Sequence, residues 1–144
     1  MELDQRIQPR TAKTIKLDMR ITIKTFWPAA LFLIVATILF CLPGDEFPEK
    51  SWFDIIYLDK WVHVALFAVL VLLWSLPLLH KIKIRSRLQK ALVWTAVAFV
   101  AYGIIIEIIQ GRFIPHRTFG VDDMVADAIG CGLGFFLAKR QTNL

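Results

Sequence analysis

Charge is scarce in this chain and cysteine scarcer still, with 20% of its residues charged and only two of them Cys. Against so little charge stand 57% hydrophobic residues, a balance too oily for an ordinary water-soluble fold. Cys41 and Cys131 both lie inside apolar runs and form neither a Cys-x-x-Cys pair nor a disulfide or zinc framework. Other chemistry-bearing patterns are missing too. There is no His-Glu-x-x-His, no phosphate-cradling glycine loop and no dinucleotide fingerprint. The three serines Ser51, Ser75 and Ser86 stand away from the main polar cluster, which leaves a serine triad unsupported. What remains reads as a membrane protein with a mean hydropathy of +0.59.

The net charge of +5 does not point to nucleic acid, because the basic residues fall in blocks that flank apolar runs instead of lining a recognition helix. Anionic lipid headgroups are the expected partners, and no nucleic acid is expected. Residues Met1–Lys24 hold six basic residues and form a basic cytoplasmic tail. Thr25–Gly44 carries no charge and, at about 1.5 Å per residue, spans roughly the 30 Å hydrocarbon core. Pro28 suits its first turn and Pro43-Gly44 its end. Asp45–Lys60 is a polar loop with Trp52, Phe53 and Tyr57 at headgroup level. Trp61–Leu79 is a second span ending near Pro77 and His80, and the short run Lys81–Lys90 has five basic residues and no acid. Ala91–Gln110 is a third span and Val121–Ala138 a fourth, the last requiring Asp122–Asp127 to face the bundle or water.

The positive-inside rule places the N-terminal tail, the second loop and the tail 139–144 in the cytoplasm. The fold expected is therefore all-α, a polytopic four-transmembrane-helix bundle over residues 25–138. Three helix ends then meet at the outer face. They bring Asp59, Lys60 and His63, then Glu107 and Gln110, then Asp122, Asp123 and Asp127. Asp59/His63 and Asp123/Asp127 are i, i+4 pairs, and Glu107/Gln110 an i, i+3 pair, so each pair shares a helical face. His63, Glu107 and Asp127 lie about one turn, roughly 5 to 6 Å, below the boundary, where ionisable groups cost free energy unless a partner meets them. Ala126, Gly130, Gly134 and Ala138 form a small-x-x-x-small seam that shares a face with the acids, which turns the carboxylates into the bundle.

The run DKWVH at Asp59–His63, the YGIIIEIIQ of the third span and RTFGVDDMVADAIGCGLG from Arg117 to Gly134 resemble the VanZ-like family of bacterial membrane proteins. The match falls on Asp59, Lys60, His63, Glu107, Gln110, Arg117, Asp123, Gly130 and Gly134, while Asp127 stands where that family more often has Asn. The resemblance implies cell-envelope biology, and one named member of the family is linked to teicoplanin (glycopeptide antibiotic) resistance.

The leading expectation is a site that binds or acts on the headgroup of a lipid or a lipid-linked envelope precursor. Lys60 and Arg117, with Asp59 and Gln110, would bind the anionic group; Glu107 and His63 would move protons; and Asp123 and Asp127 would orient them. Hydrolysis or group transfer suits such an acid/base set. His63, Glu107, Asp123 and Asp127 could also hold a hard divalent cation such as Mg²⁺. Against these stand structural explanations. His63 could bond only Asp59 or a neighbouring helix, Glu107 could pair with Arg117 or Lys60, Asp123 could cap its own helix, and Lys60 could snorkel to the interface. The rival function is a non-enzymatic adaptor or a small oligomeric transporter.

Overall fold

Long stretches without Gly or Pro, filled with Ala, Leu, Ile, Val and Phe, leave the backbone one inexpensive conformation in an apolar solvent, the helix that satisfies its own N–H and C=O groups. The computed structural model describes residues 12–43 and 58–143, with side chains from Thr25 to Pro43 and from Asp59 to Thr142. Among them are four helices and no strand: α1 Ala12–Phe40, α2 Leu58–Lys81, α3 Arg85–Phe113 and α4 Val121–Arg140, followed by a 3₁₀ turn Gln141–Asn143. Residues 1–11 of the expected tail, and the expected loop as far as Tyr57, lie outside the described residues.

Helix α1 begins well inside the segment read as a tail, so Pro28 lies within it instead of in its first turn. Likewise α2 runs through Pro77 to Lys81. Each proline leaves one carbonyl of the preceding turn without its helical donor, a loss the flanking turns tolerate. The basic run is mostly helical as well, because only Ile82, Lys83 and Ile84 connect α2 to α3. A three-residue connection forces antiparallel neighbours.

Among the described residues, two helices are long and apolar enough to cross a membrane, Asp59–Lys81 and Arg85–Phe113; the apolar part of α1, Thr25–Phe40, is shorter. These helices are not the core of a soluble protein. Trp94 is 70% exposed, Trp61 64% and Trp27 61%, and further exposed apolar side chains mark every helix. A soluble monomer does not display apolar surface on that scale, whereas lipid tails cover it at no cost.

Helix α4 packs most extensively on α2 and next on α3, while α1 leans mainly on α2. The intimacy of α2 and α4 has a local cause. A Cβ on Gly130 would come 2.5 Å from the Val64 carbonyl oxygen, and one on Gly134 would come 2.5 Å from that of Ala68. Only a hydrogen fits at either place, so the seam lets α4 lie directly on the α2 backbone. Phe67, Leu70, Val71, Ile106 and Cys131 fill the centre, with Ala36, Phe40 and Phe99 beside them. Chain direction alternates, so the C-terminal ends of α1 and α3 share one end of the bundle with the N-terminal ends of α2 and α4.

Candidate functional site

That shared end is polar to the core. Glu107 is 0% exposed, Asp127 1% and His63 2%, one each from α3, α4 and α2. His63 Nδ1 and Asp127 Oδ1 are 2.8 Å apart, joined by a buried hydrogen bond across α2 and α4. Glu107 Oε1 stands 4.0 Å from the same nitrogen. The Phe40 ring, 4.8 Å from the imidazole between centroids, closes the α1 side. Thus His63 bonds a neighbouring helix and not Asp59, and Glu107 faces His63.

The loop between α3 and α4 completes the enclosure. His116, at φ 59°, turns the chain back, and Gly111 lets it return, since a Cβ there would lie 2.8 Å from the Phe119 nitrogen. This return aims the Gly120 N–H at Glu107 Oε2, 3.2 Å away. Gly103 makes the corresponding room for Asp127, whose Oδ2 would sit 2.6 Å from a Cβ at that position. Two buried carboxylate oxygens, Glu107 Oε1 and Asp127 Oδ2, receive no hydrogen bond from the described residues. Buried polar atoms are ordinarily satisfied, so these two are the exceptional atoms of the site.

Above this floor lies a rim of ions. Lys60 Nζ bridges from α2 to α4, 2.7 Å from Asp123 Oδ1 and in contact with Asp122 Oδ2. Arg117 lies 3.6 Å from Asp59. The Asp59 and Asp122 side chains are 55% and 63% exposed, so the cluster grades from a closed floor to an open rim. Gln110 is buried elsewhere in the assembly, its amide donating to the Phe40 carbonyl at 2.7 Å and so tying the end of α1 to α3.

All eight residues singled out from the sequence thus gather at one end, seven in the floor and rim and Gln110 at the junction with α1. What the sequence reading did not single out for the site are Gly103, Gly120 and Phe40. Gly103 had a legible signal, since it shares a helical face with Glu107 and Gln110 at i, i+4 and i+7. Gly120 acts through its backbone and Phe40 through a ring on another helix, for which no spacing speaks. His63, Glu107 and Asp127 offer donor atoms all within 4.8 Å of one another, and Asp59, His63 and Asp123 form a second, overlapping set nearer the surface. Chemically, an imidazole between two carboxylates can take up, hold and return a proton, or share an ion.

No curated protein and no solved structure matches the chain. One family model does, that of VanZ/LLP1, and its match runs over residues 8–142 and therefore through every side chain of the cluster. With nearly the whole sequence accounted for in this way, the chain belongs to the VanZ/LLP1 family.

Proposed function

We propose that this membrane protein crosses the bacterial inner membrane four times with both termini in the cytoplasm, and that its polar end faces outward. In this reading the site binds and acts on the anionic headgroup of a lipid or lipid-linked envelope precursor. One observation carries the reading: a buried His63–Glu107–Asp127 floor, with carboxylate oxygens left unsatisfied, beneath a rim that holds Lys60 and Arg117. A floor of that kind costs stability, and such costs concentrate where chemistry or binding needs them. The five basic residues of 81–90 lie at the opposite end, which supports the orientation.

Mechanistically, Lys60 and Arg117 exchange carboxylate partners for the headgroup anion, Arg117 with the planar fork suited to phosphate. Asp123 holds Lys60 in place. Glu107 takes a proton from the attacking hydroxyl or water, and His63, oriented by Asp127, delivers one to the leaving group. The reaction class is hydrolysis or group transfer. The family resemblance connects this to envelope chemistry and to glycopeptide susceptibility.

The test replaces Glu107 by Gln in a strain sensitised to glycopeptides. We expect altered teicoplanin susceptibility together with altered lipid composition. Both remaining unchanged, with the variant present in the membrane at normal level, would sink the proposal.

The ties Lys60–Asp123, Gln110–Phe40 and Gly120–Glu107 favour a second reading, an adaptor whose polar groups only pin the helices together. An adaptor keeps its phenotype in Glu107→Gln so long as thermal stability in detergent is preserved. A monomeric channel has less support, because the one buried polar side chain among the described residues away from this end is Ser75, which bonds its own helix at Val71.

A further inference from the structure

The floor of the site has more acceptors than donors. Glu107 Oε2 accepts from Gly120 and Asp127 Oδ1 from His63, but among the described residues nothing donates to Glu107 Oε1 or Asp127 Oδ2. At 4.0 Å, His63 Nδ1 is too far from Oε1 to donate to it, and its single proton already points along the 2.8 Å contact to Asp127. Side chains come from three different helices, so no local turn explains their convergence.

We propose that His63, Glu107 and Asp127 form a binding site for one first-row divalent cation, of the Mn²⁺ or Zn²⁺ class. Three donors held by bonds of about 2.0–2.2 Å at tetrahedral to octahedral angles stand roughly 3.0–3.5 Å apart. The observed separations of 2.8 and 4.0 Å straddle that range: a small rotation of Glu107 about its terminal bonds shortens the second, and the first opens by a few tenths of an ångström once an ion replaces the proton between His63 and Asp127. One imidazole nitrogen with two carboxylates is a mixed donor set, which suits these ions better than Ca²⁺ with its six to eight oxygens. Binding trades the proton between Nδ1 and Oδ1 for the ion and gives Glu107 Oε1 its partner. The overlapping set of Asp59, His63 and Asp123 is the poorer site, since Lys60 and Arg117 already neutralise its acids. With the headgroup reading, on which this last step rests, the ion would polarise a phosphoryl oxygen held by Lys60 and Arg117, and with the ion bound the activation of the attacking water would pass from Glu107 and His63, now its ligands, to the ion itself.

The experiment uses the full chain in detergent, stripped with a chelator and titrated with MnCl₂, with free Mn²⁺ followed by electron paramagnetic resonance. We expect one Mn²⁺ per chain, displaced by ZnCl₂, with affinity at least roughly tenfold weaker in Glu107→Gln and in Asp127→Asn. Asp122→Asn, which removes an exposed carboxylate, should leave it unchanged. Because the floor variants could disturb folding, pulsed resonance on the wild-type protein supplies an independent readout: the bound Mn²⁺ should show coupling to an imidazole nitrogen. Absence of stoichiometric binding, absence of that coupling, or undiminished affinity in both floor variants would overturn the site. Mn²⁺ binding that persists while the susceptibility and lipid phenotypes of Glu107→Gln fail would leave this site standing and remove only the headgroup reading.

Discussion

Replacing glycine by alanine at two positions of one helix should change stability in opposite directions. An added Cβ at Gly130 meets the Val64 carbonyl oxygen at 2.5 Å and the Phe67 Cβ at 2.9 Å, while at Gly132 it meets nothing within 4 Å. Both substitutions gain about 1 kcal/mol of helix propensity. For Gly132→Ala that gain is the whole effect. Gly130→Ala must also restore an ordinary contact of 3.4 Å, which pushes α4 from the α2 backbone by about 0.9 Å. Neither neighbour is a flexible chain end, so the overpacking cost is about 1–3 kcal/mol and outweighs the gain. The same displacement would open the His63–Asp127 contact from 2.8 Å to about 3.7 Å, beyond hydrogen-bond reach. Melting in detergent, followed through the native tryptophans, should therefore rank Gly132→Ala above wild type and Gly130→Ala below it. A Gly130→Ala protein that melts as high as Gly132→Ala would refute the close α2–α4 approach on which the site depends.

Other expectations follow from single contacts. Gln110→Leu strips the Phe40 carbonyl of its donor and should cost about 1–2 kcal/mol, read as roughly tenfold faster hydrogen exchange in the last turns of α1 with α4 unaffected. Lys60→Met should cost only about 0.5–1 kcal/mol, because its partners Asp122 and Asp123 are partly wet, and raising salt toward about 1 M should shrink the difference from wild type in melting temperature. His116 sits in the left-handed region, so His116→Val should destabilise by about 1–2 kcal/mol while His116→Asn stays neutral in the same melting assay.

How much was legible follows from what each sequence signal measures. Hydropathy measures the solvent, and the apolar runs were therefore readable as helices, although their ends were not. α1 begins at Ala12 because basic residues tolerate helix as readily as tail, and α2 passes Pro77 because a proline near a helix end removes only one bond. Helical spacing measures face and depth. It put His63, Glu107 and Asp127 at one level and turned the Gly130–Gly134 seam toward the same side as the acids. It could not say which helix each face meets, since the order of helices around a bundle is set by packing between them.

By itself, then, the sequence determined a lipid-embedded helical chain with the ionisable groups inside its apolar segments, His63, Glu107 and Asp127, collected toward one end, because charge in hydrocarbon is costly and helical periodicity is rigid. Tertiary structure alone decided the partners. Glycine-thin contact brings α4 onto α2, so His63 meets Asp127 instead of Asp59 and Lys60 crosses to Asp123. The returning loop gives Glu107 a backbone donor for one oxygen and leaves the other facing the imidazole. Those pairings depend on distances between separate helices, which no spacing along one chain encodes.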